Sequence, residues 1–552
     1  MTQPPPPRPP NEPPSPQGGF GAPPPMPPYT APGYGTLRSP LPPESRGRPG
    51  QQPYEQQHPY GHHQEQPPTR KKVPPIALVI GAAVVAIALI VGGGVLYFST
   101  SGGDAPGAGS SDAADGDKGG DGFGGPEEEV PADPSARTAL RLPAPKVAKR
   151  QVDNVRGSWL TDRTYAKAGL NQLAGYDAAS GRKTWTLPLS GQTCAGTDSV
   201  NDDGLAAVVS EDAKRSRDNR PRPCTRITVF DVNTGHKVWS QTVRQGTKDR
   251  RFEELSFSGN TLAVGGGFDG GAAFDVKSGR ILWQPDTGTC QDMGYRGGTR
   301  LVAVRKCGAY GDERYEVQLL DPTTGGPRWS YAIATGPTAV KVLSTKPVVV
   351  GIGTGGNSTG TINSILTVDD RGKLMSKIAL DPKKFDFACE AGKIEGCAKT
   401  AVGNGRVYLA TRQHTVPGNS GTSENSGDVG MTNEIVSYSL ETGKRTGDRV
   451  EGGDHSIFPV RMDGGNILAF KTGAYDKGSA MVTIDPTTMK QRTLLETPAT
   501  PAVREAIGSM APGQASSELH YSKGRLFLGS PVISAPYGKD DKRFTALGFT
   551  TG

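Results

Sequence analysis

The stretch FDVKSGRILW, residues 274–283, sets an acid and an aromatic eight residues apart: Asp275 and Trp283, with Gly279 midway. A carboxylate and an indole at fixed distance could grip a ligand. Three other stretches could also do chemistry. His455 beside Asp454 is the nearest approach to an acid–base pair, but no Ser or Cys in a nucleophile-elbow context accompanies it. Residues 351–356, GIGTGG, match a dinucleotide fingerprint in form, but turn and strand follow where a helix must receive the pyrophosphate. Residues 115–121, DGDKGGD, alternate carboxylates as a calcium loop does, yet Gly119 and Pro126 occupy ligand positions. No catalytic, cofactor-binding or metal residue is therefore assigned, and no cofactor is expected.

The opening phrase recurs. Asp177, Gly181 and Trp185 repeat its spacing, as do Asp231, Gly235 and Trp239, and Asp321, Gly325 and Trp329. Weaker copies follow: VDDRGKL from Val368, one residue shorter; YSLETGKR from Tyr438, with Ser439 for Asp; IDPTTMKQ from Ile484, with Met489 for Gly; and a terminal LGFTTG. Strands of alternating polarity, such as GRVYLATR, precede the turns. A repeat of several short strands predicts an all-β fold, a β-propeller whose blades bury one another's faces. Eight copies suggest eight blades, with seven as the alternative. The copy ending at Gly552 lacks its outer strand, which the segment near 145–160 is expected to supply. In this frame Asp accepts hydrogen bonds from turn amides, Gly adopts the left-handed conformation, and Trp packs on the neighbouring blade.

The Asp-x-x-x-Gly-x-x-x-Trp phrase resembles the tryptophan-docking repeat of the pyrroloquinoline-quinone (PQQ) propeller family, over roughly residues 150–552. That family holds quinoprotein alcohol dehydrogenases, an outer-membrane assembly lipoprotein and sensor modules of bacterial kinases. The resemblance implies architecture, not activity. The dehydrogenases carry adjacent disulfide-bonded cysteines on the quinone, and this sequence has no Cys-Cys dipeptide. It is read as non-enzymatic.

Elements outside the repeat decide where such a disc would sit. Residues 1–73 are crowded with Pro and Gln and predict a disordered cytoplasmic tail. Residues 74–98 contain an uncharged apolar run from Ile76 to Phe98, long enough to cross a ~30 Å hydrocarbon core as a helix. Arg70, Lys71 and Lys72 precede it and Asp104, Asp112 and Asp115 follow, placing the N-terminus inside and the C-terminal domain extracytoplasmic. Residues 99–140 read as a flexible acidic spacer and 141–552 as the propeller ectodomain. The total charge of +7 is spread unevenly, with acids concentrated in the spacer and a basic excess beyond it.

All six cysteines, Cys194, Cys224, Cys290, Cys307, Cys389 and Cys397, follow the apolar run, which suits disulfides in an oxidising compartment. Neighbour pairing (194–224, 290–307, 389–397) is favoured among connectivities that sequence leaves open. One charge cluster stands out: Lys214, Arg215, Arg217, Arg220, Arg222 and Arg226, in an insertion that could meet an anionic partner. The functional expectation is a membrane-anchored, non-catalytic scaffold with a protein or anionic envelope partner and no nucleic acid. A ligand sensor signalling through the tail is the alternative, and a quinone-dependent dehydrogenase the third. Oligomeric state is left open.

Overall fold

The computed structural model describes residues 127–552, apart from 286–287, 310, 334–335, 356–360, 416–430, 475, 537 and 539–541. It also describes Leu89–Ile90, two residues of extended chain paired in parallel with Glu518–Leu519. The expected tail, the rest of the apolar run and most of the spacer lie outside the described residues. Among the described residues, no helix is long and apolar enough to cross a membrane.

Short strands cannot hide both faces of a sheet, so the chain stacks small sheets around an axis. Eight blades form: seven four-stranded antiparallel sheets, and an eighth of four antiparallel strands that Leu89–Ile90 extends in parallel. Their innermost strands are Ser158–Leu160, Thr193–Gly196, Glu254–Ser258, Cys290–Arg296, Pro337–Thr345, Thr400–Gly403, Ile457–Asp463 and Glu518–Ser522, in blades 1 to 8. The core lies between blades, as in the cluster where Val229 and Phe230 of blade 2 meet Leu262 and Phe274 of blade 3.

Ring closure differs from expectation. The outer strand of blade 8 is Arg137–Pro143, antiparallel to Phe544–Thr550, and not the segment near 145–160. The boundary expected at residue 140 thus falls inside a strand. The chain before that strand is also bound to the disc. Glu128 accepts from the Lys523 amide (2.7 Å) and pairs with Arg461 (3.0 Å), while Pro134 and Ala136 bond the backbone of Glu496 (2.7 and 2.8 Å). Residues 127–136 therefore stitch blade 7 to blade 8 before closure.

The repeated phrase makes one turn four times. Asp275 Oδ1 accepts from the Ser278 amide at 2.8 Å, and the Gly279 amide returns to the Asp275 carbonyl at 2.9 Å. Gly279 stands at φ +72°, where any Cβ crowds the backbone. Hydrogen bonds from the turn hold the carboxyls of Asp177 and Asp275 below the usual carboxylate range, led by the hydroxyls of Ser180 and Ser278. In the Asp321 copy the Arg328 guanidinium contributes most.

The glycine has a second role. In blades 1 to 3 the Trp lies on the turn glycine of the next blade, and its indole N–H donates to the carbonyl just after that turn's Asp. Trp185 bonds Val232 (3.1 Å), Trp239 bonds Val276 (2.7 Å) and Trp283 bonds Pro322 (2.8 Å). A Cβ on Gly235, Gly279 or Gly325 would come within 2.5, 2.9 or 2.6 Å of the seated indole. Trp329 packs on Gly372 of the shortened turn, where its N–H finds no acceptor among the described residues. At the equivalent place in blade 5, Ser376 replaces Trp and donates to the Leu440 carbonyl at 2.6 Å.

This geometry predicts coupling across blades. Trp283→Phe should cost about 1 kcal/mol through the lost N–H donor. Gly325→Ala should cost about 2–4 kcal/mol from strain and overlap. In urea unfolding the Gly325→Ala, Trp283→Ala double variant should be less destabilised than the sum of its singles; strict additivity would contradict the docking geometry.

Candidate functional site: the charged axis

The residues singled out by the repeat do not converge. They are spread around the blades as turns and seats. The structural feature that does converge was not foreseen: a disulfide-closed loop laid over the axis. All three disulfides pair as favoured, Cys194–Cys224, Cys290–Cys307 and Cys389–Cys397. The third closes the loop, with the Glu390 amide bonded to the Gly396 carbonyl at 2.8 Å.

The loop residues reach several blades. Glu390 pairs with Arg156 (3.3 Å), at the entrance to blade 1. Lys341, from the inner strand of blade 5, donates to the carbonyls of Glu390 and Lys393. The Ile394 carbonyl accepts from the Val342 amide at 2.9 Å. Gly294 of blade 4 lets the loop close in, since a Cβ there would lie 2.1 Å from Glu254 Oε2 and 3.0 Å from Ile394. The Glu395 amide donates to Glu254 Oε1 of blade 3 (3.1 Å), and its carboxyl meets that of Asp198 after blade 2. Five blades are held by one short loop.

Burial dominates the electrostatics. It pushes Glu254 up to about 8, aided by the charge of Glu395. Asp198 and Glu395 are both raised, by burial first; in Glu395 their mutual repulsion adds, and Arg296 opposes it. Burial also lowers Lys341 to about 8, against the pull of Glu254 and Glu390. Two carboxyls this close in a dry site cannot both ionise near neutral pH, so one holds a proton for the other.

Beneath the loop is a cavity of about 40 Å³, bordered by Arg156, Ser158, Asp198, Glu254, Glu395 and Glu518 among others. Glu518 is anchored by the Gly157 amide (2.8 Å) and by Lys167 (3.2 Å). Ser158 Oγ lies 2.9 Å from His520 Nε2, a spacing compatible with nucleophile and base. The neighbouring Gly157 amide is already committed to Glu518, and the cavity has room for little beyond one water. The pair is a buried hydrogen bond. Among the described residues no group of three His, Cys, Asp or Glu could hold a metal ion.

The other foreseen candidates resolve individually. In the basic insertion, Arg215 is buried between Glu211 (2.8 Å) and Asp153 (3.7 Å), Arg220 pairs with Asp218 (2.8 Å) and Arg222 with Asp212 (2.9 Å). Lys214 and Arg217 remain exposed, and Arg226 is half-buried on its strand. GIGTGG lies mostly in the strand Val348–Thr354, which pairs with Ser364–Val368 as a hairpin. His455 is buried, its Nδ1 on the Thr472 carbonyl and its Nε2 3.2 Å from Asp454. DGDKGGD lies outside the described residues. An open depression of about 360 Å³ beside Arg300, Pro347 and Met375 sits between blades 4 and 5, with Arg300 held by Asp370 at 2.5 Å.

Eight blades, the first four docked by a Trp on the next turn's glycine, define an eight-bladed β-propeller. The family model described as outer membrane protein assembly factor BamB matches residues 169–375, the part of the chain that holds the regular copies of the phrase. Comparison with curated proteins gave no match. Among solved structures, BamB from Moraxella catarrhalis is 12% identical, with TM-score 0.38, covering 73% of this chain and 99% of its own. The quinohemoprotein alcohol dehydrogenase from Comamonas testosteroni is 12% identical, with TM-score 0.38, covering 75% of this chain and 76% of its own. The computationally designed Ika8 protein is 12% identical, with TM-score 0.43, covering 75% and 99%.

The raised carboxyls have a consequence for stability. Glu254 binds its proton more tightly folded than unfolded, so its contribution is full below pH 4.5 and is lost as pH rises through about 8. The melting temperature should fall from pH 5 to pH 8, and Glu254→Gln should flatten that fall. An equal slope in wild type and variant would show that Glu254 does not titrate there.

Proposed function

We propose that the protein is a non-catalytic interaction scaffold, a rigid propeller carried outside the membrane by the apolar segment at 74–98. The observation that carries this reading is the plugged axis. A loop tied to five blades leaves about 40 Å³ beneath it, whereas small-molecule pockets run to roughly 300 Å³ or more. Partners then meet the faces and rim of the disc. Lys214 and Arg217 are exposed cations of the basic insertion that no ion pair among the described residues engages, unlike the exposed Arg220 and Arg222, and they suit an anionic envelope surface or an acidic protein. The depression beside Met375, itself 47% exposed, suits an apolar side chain of a docking protein.

Two measurements test this. Titrating the full-length protein with pyrroloquinoline quinone and calcium should give no bound-cofactor absorbance and no dye reduction with alcohols; quinone-dependent turnover would overturn the reading. Binding to anionic vesicles at low salt should weaken about thirtyfold in a Lys214→Ala, Arg217→Ala double variant, since each such charge contributes about 1 kcal/mol. Unchanged binding would move the anionic contact elsewhere.

A further inference from the structure

The cavity under the axial loop has a chemical character that the scaffold reading does not use. Glu395 is 3% exposed, borders the cavity, and has its Oε1 without a hydrogen-bond partner. Asp198, whose carboxyl meets that of Glu395, likewise borders the cavity and has a buried Oδ1 with no partner. Unpaired carboxylate oxygens in a dry site are costly, and structures keep them only where something satisfies them.

Most of the nearby cations are also engaged by other groups. Lys341 is spent on the carbonyls of Glu390 and Lys393, and Lys167 on Glu518 and the Val155 carbonyl. Arg156 and Lys393 both pair with Glu390 (3.3 and 3.4 Å). Arg296, from blade 4, donates to the Val342 carbonyl at 3.2 Å and also acts on the Asp198 and Glu395 charges. On the remaining walls stand Glu253 and Glu254 of blade 3 and His520 of blade 8, with His520 on Ser158. Ser256 faces Glu395 from blade 3. The lining therefore has more carboxyls than cations.

We propose that this cavity binds a small primary ammonium cation, held by Glu395 Oε1 and Asp198 Oδ1 as a counter-ion beneath the loop. Size sets the class. About 40 Å³ admits an ammonium or methylammonium head and excludes a quaternary or larger amine. Donor chemistry sets it too: an ammonium offers several N–H groups to oxygens that lack donors. A divalent metal is disfavoured because no three-ligand group exists among the described residues. The cation and the proton shared by Asp198 and Glu395 compete for one place, so occupancy rises with pH.

The test is thermal unfolding of the full chain at pH 8.5 in methylammonium chloride, against sodium chloride and tetramethylammonium chloride at equal ionic strength. Methylammonium should raise the melting temperature about 1–3 °C above both controls at tenfold excess over its dissociation constant. At pH 6 the apparent affinity should be at least about tenfold weaker, because protons displace the cation. Glu395→Gln, and separately Asp198→Asn, should abolish the methylammonium-specific shift; either variant suffices if the other fails to fold. Equal shifts with all three salts, or a methylammonium shift that survives both substitutions, would overturn the site. The scaffold reading rests on the quinone titration and not on this result, so the two readings fail separately.

Discussion

The ring depends on one contact: the indole of each early blade resting on the turn glycine of the next. The contact works only if three conditions hold together. The turn must lack a Cβ, the strand must return with its Trp four residues later, and the carbonyl after the Asp must face the indole N–H. Trp185, Trp239 and Trp283 meet all three. Because the glycine belongs to one blade and the tryptophan to another, each copy of the phrase is half of two joints. That is why the spacing is kept from Asp177 to Trp329 while the sequence around it drifts.

The later blades show what replaces the contact when it is lost. Ser376 reaches the Leu440 carbonyl with a hydroxyl where an indole would stand. Arg406 donates to the Pro486 carbonyl at 3.3 Å, again the carbonyl that follows the turn position. Met489 keeps the left-handed turn at φ +56° without glycine, its amide still on the Asp485 carbonyl at 2.8 Å. The acceptor carbonyl persists after the aromatic is gone. Backbone geometry, set by the turn, is more durable than the side chain that uses it. The weak half of the ring then gains other bonds: the stitch of residues 127–136 over blades 7 and 8, and the outer strand Arg137–Pro143.

This division explains what could be read in the sequence. The blades were legible because their joints repeat, and the turn was legible down to its hydrogen bonds. Disulfide neighbours were legible because hairpins bring sequence neighbours together, as Cys290 and Cys307 show by facing one another in register. The closing strand was misplaced because Arg137–Pro143 carries no copy of the phrase, and an acidic, Gly-rich approach disguised it. The axis was invisible for a deeper reason. Asp198, Glu254, Arg296 and Lys341 come from four blades, and nothing local marks any of them. The only signal was CEAGKIEGC, a short loop rich in charge between two cysteines, and its meaning needed the ring.

The same argument says where this propeller can vary in function. Positions in the joints are fixed by packing, and a change there is felt by two blades. Positions on the axis are fixed differently: Glu390, Ile394 and Glu395 bond blades 1, 5 and 3 through charges and backbone amides whose balance is set by burial. A loop bound this way locks the inner strands as the indoles lock the outer ones, so the disc is held at both radii. What is left unconstrained is the insertions, among them the basic segment after Glu211. There Arg215 has been drawn into the fold by Glu211 and Asp153 while Lys214 and Arg217 stay outside. One run of cations thus serves both purposes, and the residue-by-residue split between anchor and exposed charge locates the surface that is free to meet a partner.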